Sequence, residues 1–264
     1  MPELPEVETV TRSLAPLVGR RIVSAEFRSL RVLRGGDPDK MAAALAGKRI
    51  AGVKRYGKFI VVPLDGGGYL LIHLGMTGRL LLGGPVGKHT HAVLTFDDGV
   101  LLFDDSRQFG SFQLSEVFPA RVARLGPEPL EVSLDAFTAA LKRHKTRVKS
   151  LLLNQLFLRG VGNIYADEAL FRAGIHPLAI AARLRGERPR KLYEAIQAVL
   201  REAIDAGGSS ISDYVDAQGR KGFFQFSHRV YQRTGEPCVS CGTTIKRLVV
   251  TQRSSHFCPK CQKR

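Results

Sequence analysis

The sequence has few of the features that place a protein in a membrane or outside the cell. No apolar run among its 264 residues approaches the roughly 20 that a membrane-spanning helix needs. The N-terminal residues MPELPEVETV lack the basic and then apolar segments of a secretion signal. We therefore expect a cytoplasmic protein, in whose reducing surroundings the four cysteines do not form disulfides.

Acidic residues are also scarce. Asp and Glu number 24 against 40 Lys and Arg, which gives a formal net charge of +16. The excess is concentrated in the second half, because residues 140–150 hold five basic side chains and no acid, and residues 228–264 hold eight with one acid. This distribution favours a polyanionic partner such as nucleic acid. A generally basic protein without such a partner is the alternative that charge alone leaves open.

The hydrophobic pattern changes along the chain. Residues 3–18 carry apolar side chains at steps of three and four, which predicts a helix. Short β-rich runs between Gly and Asp turns follow from about 20 to 115 and predict an antiparallel sandwich, interrupted by one helix near 38–47. Four further helices are predicted at 134–143, 147–158, 163–173 and 188–206. The fold class is therefore α+β.

We expect an N-terminal domain over 1–124 and a linker, rich in Pro and acid, over 125–133. A helical domain is predicted at 134–227, and a cysteine-bearing finger at 228–264. Residues 211–224 are predicted to form a long polar loop.

All four cysteines lie in one motif of two Cys-x2-Cys pairs separated by sixteen residues: Cys238, Cys241, Cys258 and Cys261. This spacing is typical of a four-thiolate zinc site, in which each pair forms one tight turn around the metal. Four thiolates leave no open coordination position, so the single zinc is predicted to be structural. Redox-active dithiols or disulfides are the alternative. Basic residues on the intervening segment, among them Arg253, could contact phosphate or could only be solvated.

The first residues suggest covalent chemistry. Removal of Met1 would expose the secondary amine of Pro2, which can attack a sugar carbon and give an iminium ion without further protonation. Glu3 and Glu6 lie one helical turn apart beside that amine and could transfer protons or orient it. Proline and glutamate in a first turn also make a good helix start, which is the structural alternative.

Several segments together resemble bacterial formamidopyrimidine-DNA glycosylase. They are MPELPEVET, HLGMTGRL at 73–80, LGPEPL at 125–130, GVGNIYADEALF at 160–171 and the C-terminal cysteine motif. The resemblance implies an N-terminal β-sandwich flanked by helices, a helix–two-turns–helix domain that ends in a zinc finger, and DNA bound between them.

The resemblance also implies roles for single residues. Pro2 is then the nucleophile, Glu3 the acid/base for sugar ring opening and Glu6 a positioning carboxylate. The remaining assignments are to DNA: Lys58, His89, Asn163 and Arg253 contact phosphate, and Lys149 lies near the base pocket. Ordinary structural alternatives remain for these residues, such as a strand-edge position for Lys58 and a helix N-cap for Asn163. His73 is interpreted as structural.

An extruded base leaves a hole in the duplex. The resemblance assigns Met76, Arg107 and Phe109 to fill it, and their Gly-containing turns favour loop tips over core positions. Two departures concern lesion preference: SRQFG at 106–110 lacks one arginine common in the family, and the 211–224 loop has its own sequence.

The resemblance thus predicts a DNA-formamidopyrimidine glycosylase with DNA lyase activity. It is expected to excise oxidised purines through a Pro2 Schiff base and to cut the strand by β,δ-elimination. The expected protein is a monomer that acts on damaged double-stranded DNA in the nucleoid, with one zinc as its cofactor. An endonuclease VIII-type enzyme for oxidised pyrimidines is one alternative, and a non-enzymatic four-cysteine DNA-binding protein is another.

Overall fold

The computed structural model describes residues 1–34, 36–211 and 213–264. These residues form two compact units, each built from two parts of the chain. One unit comprises Met1–Arg124 and Ala206–Phe223, and the other comprises Leu125–Asp205 and Phe224–Arg264. The segment 206–223 thus belongs with the N-terminal residues, whereas the sequence analysis placed it in the helical domain. The predicted limits of the linker and of the finger stay predictions.

Helix α1 (Leu4–Ser13) opens the first unit and buries Leu4, Val7 and Val10. The predicted helix extends to residue 18, but α1 ends five residues earlier and a 3-10 turn follows at Ala15–Leu17. Pro16 explains this end, because it has no backbone N–H to continue the α-helical hydrogen bonds.

Two antiparallel four-stranded sheets, in the orders β1-β6-β7-β5 and β2-β3-β4-β8, make up most of this unit. The strands are β1 (Ile22–Phe27), β2 (Lys54–Tyr56), β3 (Phe59–Pro63), β4 (Tyr69–His73), β5 (Arg79–Leu82), β6 (Thr90–Phe96), β7 (Gly99–Asp104) and β8 (Ser111–Ser115). One apolar core takes side chains from both sheets, and the Phe103 and Phe112 rings meet across it with centroids 5.0 Å apart. The predicted sandwich is therefore confirmed. Helices α2 (Pro38–Leu45) and α3 (Ala120–Ala123) complete the unit.

The second unit is mainly helical. It contains α4 (Leu134–Lys142), α5 (Val148–Leu153), α6 (Asn163–Arg172) and α7 (Arg188–Asp205). Phe137 packs in its interior with ring centroids 5.8 Å from Phe157 and 5.7 Å from Tyr193. The helix predicted at 147–158 is shorter in the structure. Asn154 leaves the helical conformation, and its Oδ1 accepts a hydrogen bond from Leu156 N at 3.0 Å, which favours a turn over another helical turn.

A two-stranded hairpin lies between the two cysteine pairs near the C-terminus. Its strands are β9 (Lys246–Val250) and β10 (Arg253–Phe257). Val250 pairs with Arg253, so Thr251 and Gln252 alone form the turn. Both have positive φ, 48° and 58°, as a two-residue hairpin turn of this hand requires. The α+β fold class is thus confirmed, with sheets in the first unit and helices with a cysteine hairpin in the second.

Gly110 precedes β8 at a point where the first unit leaves no room for a side chain. A Cβ on this residue would collide with the Phe103 ring and lie 3.0 Å from His73 O. We expect Gly110→Ala to lower the free energy of unfolding by about 1–3 kcal/mol, because overpacking forces neighbouring groups to move. Urea unfolding measures the change. Gly52→Ala is the matched control, since its nearest neighbour, Pro63 Cγ, is at 3.5 Å. Equal effects of the two changes would contradict the steric argument.

Candidate functional site

Two buried carboxylates lie at the start of α1, directly after the buried Pro2. Glu6 Oε2 accepts a hydrogen bond from Glu3 N at 2.8 Å as part of a capping box. Glu6 Oε1 accepts another from Ser209 N at 2.7 Å. The helix-start interpretation is therefore correct as local structure, but it does not account for the second contact. Glu6 also fastens the segment 206–223 to the N-terminal residues.

Tyr214 is a second anchor of this segment. Its hydroxyl lies 3.2 Å from Glu6 O and 3.1 Å from Gly207 O, and it donates toward both carbonyls. Burial and the nearby Glu6 charge raise the pKa of Tyr214, so the phenol keeps the proton that it donates. Ala217 N donates to Ser13 Oγ at 3.0 Å. The predicted 211–224 loop is therefore held at several points, while Ile211 and Asp213 are exposed and Ser212 lies outside the described residues.

Basic side chains lie close together in the β2-β3-β4-β8 sheet where β3 begins and β4 ends. Lys58 is buried in the turn between β2 and β3, so it is not a solvated strand-edge lysine. His73 ends β4, and burial together with the charges of Arg121, Lys58 and Arg34 lowers its pKa to about 4. His73 Nδ1 accepts a hydrogen bond from Gly75 N at 3.1 Å. A neutral imidazole thus lies among cations.

Two turns expose the predicted void-filling residues, one between β4 and β5 and the other before β8. Met76 is 39% and Phe109 50% exposed, so neither belongs to the core. The Arg107 guanidinium lies 4.7 Å from the centre of the Phe109 ring, a distance at which the cation and the ring attract. Gln108, where the family often has arginine, takes a positive φ of 53°, and its Oε1 accepts from Ser29 Oγ at 2.7 Å.

Asp105, which the sequence analysis missed, organises this loop. Its fully buried carboxylate accepts hydrogen bonds from Thr77 Oγ1 at 2.5 Å, Gly110 N at 2.7 Å and Arg107 N at 3.2 Å. It therefore holds the turn after Met76 and the turn around Phe109 together. An aspartate that opens a Gly-containing turn is the signal that could have indicated it.

The two loop histidines differ. His91 is buried and its Nε2 lies 3.0 Å from Asp105 O, whereas His89 is exposed. His91 is therefore part of the loop's framework, and His89 alone of the two can meet a ligand.

In the second unit, Asn163 is the first residue of α6, and Gly162 occupies the N-cap that the sequence analysis considered for Asn163. Arg253 is exposed at the first position of β10. Lys149 does not fit its predicted role near a base pocket. It is fully buried, and its Nζ donates to Asp167 Oδ1 at 2.6 Å and to Ser254 O at 2.8 Å. An enclosed ammonium with these partners is a structural ion pair.

The four cysteine sulfurs lie within 4.8 Å of one another, with Cys238 and Cys261 at 3.9 Å and Cys241 and Cys258 at 3.5 Å. A tetrahedral site with Zn–S bonds of about 2.3 Å needs sulfurs about 3.8 Å apart, so the group fits zinc. All four cysteines are free of disulfides. The site is that of one structural zinc.

The depressed pKa of His73 predicts a loss of stability in acid. In the unfolded chain the His73 imidazole is protonated below its ordinary pKa of about 6.5, whereas in the folded chain it stays neutral down to about pH 4. Stability should therefore fall by at most about 3 kcal/mol from this group as pH drops from 6.5 to 4. His73→Asn keeps an acceptor for Gly75 N but does not titrate. Urea unfolding at pH 7 and pH 4.5 should show a smaller acid loss for the variant, and equal losses would contradict the assignment.

Comparisons with known proteins account for nearly the whole chain. Residues 1–112 match the formamidopyrimidine-DNA glycosylase N-terminal domain, 125–215 match its H2TH domain, and 235–264 match a zinc finger found in FPG and IleRS. Formamidopyrimidine-DNA glycosylases of Solibacter usitatus and Heliobacterium modesticaldum are 76% and 48% identical, each with 100% of both chains covered.

Solved structures agree with these relatives. A Lactococcus lactis FPG mutant in complex with a Fapy-dG containing DNA is 37% identical with a TM-score of 0.93 and covers 100% of both chains. The FPG protein of Thermus thermophilus is 43% identical with a TM-score of 0.89 and covers 99% of this chain and 98% of its own. No helix in the described part of the chain is long and apolar enough to cross a membrane. The chain belongs to the formamidopyrimidine-DNA glycosylase family.

Proposed function

We propose that this protein is a DNA glycosylase and lyase that excises oxidised purines, 8-oxoguanine and formamidopyrimidines, from duplex DNA. The observation that carries the proposal is the buried Glu3 and Glu6 pair beside Pro2, tied to the loop at 206–223. The family to which the chain belongs, and relatives that bear this name, support the reaction class. The protein acts as a monomer on chromosomal DNA in the cytoplasm.

The chemistry begins at the chain terminus. Removal of Met1 leaves the secondary amine of Pro2, whose lone pair attacks C1′ of the damaged nucleotide. The C1′–N bond to the base breaks and its electron pair leaves with the base, which leaves an aminal at C1′. Once the proline nitrogen has lost its proton, the C1′–O4′ bond breaks with its electron pair going to O4′, and the nitrogen lone pair forms the C1′=N bond of a cationic iminium ion. Glu3 donates and accepts protons at the sugar as the ring opens, a role that suits a buried carboxyl group beside the amine.

Strand cleavage follows from the same intermediate. The iminium acidifies the C2′ hydrogen, and loss of that proton expels the 3′ phosphate. A second elimination expels the 5′ phosphate and leaves a one-nucleoside gap with phosphate ends. Each bond breaks heterolytically, and its electron pair goes to the departing base, to O4′, to a phosphate or, from a C–H bond, into a new C=C bond. The sequence of steps therefore consumes no oxidant or reductant. The zinc shapes the hairpin and takes no part in these steps.

Both units supply side chains that can contact the DNA backbone. Lys58, His73 and His89 of the first unit, and Asn163 and Arg253 of the second, are proposed phosphate contacts. His73 is added because its imidazole is neutral among cations, so its ring N–H can donate to an anion that those cations attract. The net charge of +16 favours such a partner.

The tips of the two turns that carry Met76 and Phe109 fill the space that the extruded base leaves in the duplex. Met76 and Phe109 are exposed apolar side chains of the kind that fill a vacated stack, and Arg107 can donate to the orphaned base. Asp105 holds the two turns at a fixed separation. The loop at 206–223 offers backbone N–H and C=O groups near Glu6, which can read a flipped purine without specific side chains.

Borohydride reduction tests the nucleophile. With a duplex that carries 8-oxoguanine, we expect a covalent protein–DNA adduct that peptide mapping places at Pro2. A chain with one extra residue before Pro2 is the matched control and should give no adduct at Pro2, because its proline nitrogen is an amide. Glu3→Gln should lose base excision at least 100-fold yet still cleave pre-formed abasic sites, since proton transfer by a positioned group contributes about 10²–10⁴-fold.

Two outcomes would contradict this proposal. An adduct on a lysine would refute Pro2 as the nucleophile. Faster single-turnover release of thymine glycol than of 8-oxoguanine would assign the enzyme to oxidised pyrimidines, with the nucleophile unaffected.

A further inference from the structure

Two consecutive side chains of α5 reach the zinc hairpin on either side of Arg253. Lys149 Nζ donates to the carbonyl of Ser254, the residue after Arg253, at 2.8 Å. Ser150 Oγ lies 2.6 Å from Oγ1 of Thr251, two residues before it. Arg253 itself stays exposed between these contacts. One helix therefore fixes the backbone from which this guanidinium projects.

The inner contact, from Lys149 Nζ to Ser254 O, belongs to a buried network of hydrogen bonds. Lys149 and Asp167 are both buried, and their charged atoms lie 2.6 Å apart. The other oxygen of Asp167 accepts from His256 N at 2.9 Å and lies 3.1 Å from His256 Nδ1. The network thus joins α5, α6 and β10. A buried ion pair is often no more stabilising than well-packed apolar residues, so a defined geometry is the better account of its presence here.

The outer contact, between the Ser150 and Thr251 hydroxyls, is made at the hairpin turn, where the backbone conformation is the least favourable. Thr251 and Gln252 both adopt positive φ, a region that residues other than glycine seldom occupy. The hydrogen bond between the Ser150 and Thr251 hydroxyls favours this turn over alternatives. Arg247 Nε adds a bond to Ser254 Oγ at 2.9 Å within the hairpin. The residues on both sides of Arg253 are therefore held, and the register of the turn is set.

We propose that Lys149 and Ser150 are positioning residues for Arg253. They direct its guanidinium toward a DNA phosphate and do not contact DNA themselves. This inference rests on the proposed function, in which Arg253 binds phosphate, and it replaces the direct role that the sequence resemblance gave Lys149.

The outer contact gives the milder test. Affinity for a duplex with a tetrahydrofuran abasic analogue is measured against salt concentration, with zinc content and Tm checked for each variant. Arg253→Ala should lower the slope of log affinity against log salt by about one. Ser150→Ala should weaken binding about threefold to tenfold at low salt and have no further effect when Arg253 is already Ala. The control is Thr138→Ala, which removes a hydroxyl from α4 of the same unit and should bind normally.

The inner contact needs a paired change. Lys149→Met and Asp167→Asn alone should each lower Tm, because each leaves a buried partner unmatched. The double variant removes both charges and should recover much of the Tm, but it still lacks the bond to Ser254 O. We expect its salt slope to match that of Arg253→Ala. Adding Arg253→Ala to the double variant should change the slope no further.

A purely structural role for these residues predicts different results. Wild-type binding by Ser150→Ala, together with a reduced slope for Arg253→Ala, would overturn the proposal. A fall of the slope by about two when the changes are combined would also overturn it. If the double variant does not fold, Ser150→Ala decides, since its contact is at the surface. A wild-type slope for Arg253→Ala would instead refute the phosphate contact in the proposed function.

Discussion

The carboxylate of Glu6 joins two segments of the first unit that are 203 residues apart in the chain. One oxygen holds Glu3 N and the other holds Ser209 N, so the start of α1 and the loop at 206–223 share one buried charge. Without it, two buried N–H groups would lose their acceptor, at about 1–3 kcal/mol each. The backbone of the loop lies so close to Glu6 that a Cβ on Gly208 would be 3.0 Å from Glu6 Oε1. The proposed nucleophile and the proposed purine-reading loop therefore depend on the same side chain.

The second unit uses consecutive acids of α6 in a similar way. Asp167 binds β10 through His256, and Glu168 accepts backbone N–H groups from Arg229, Val230 and Tyr231 at 2.9–3.0 Å. Burial raises the pKa of Glu168, and the three donors act against that rise. The finger is thus fixed to α6 at its entrance and at its last strand, while zinc ties its two cysteine pairs. Metal binding shapes the hairpin, and the helix determines where the hairpin lies within this unit.

Patterns in the sequence were sufficient for most elements and for the residues that local chemistry singles out. The cysteine spacing predicted the metal site, and Gly-containing turns correctly favoured exposed positions for Met76 and Phe109. The failures involve partners distant in the chain. Lys149 is a basic residue in a basic segment, and nothing local shows that Asp167 and Ser254 enclose it. Nor does anything local to His73 show that Arg34 and Arg121 lie near it and lower its pKa.

The same distinction changes what the number of basic side chains means for DNA. A count of side chains gives Lys149 the same weight as Arg253, but Asp167 neutralises the first inside the protein while the second is exposed. Arg159 is likewise paired with Glu128 at 3.1 Å, and Arg55 with Glu8 at 2.7 Å. Only charge that can displace counterions from phosphate contributes to the salt dependence of binding. The count of 40 Lys and Arg therefore overstates the cations available to DNA, whereas the net charge of +16 already subtracts the acids of these pairs. The internal pairs act by fixing the backbone that presents the remaining cations.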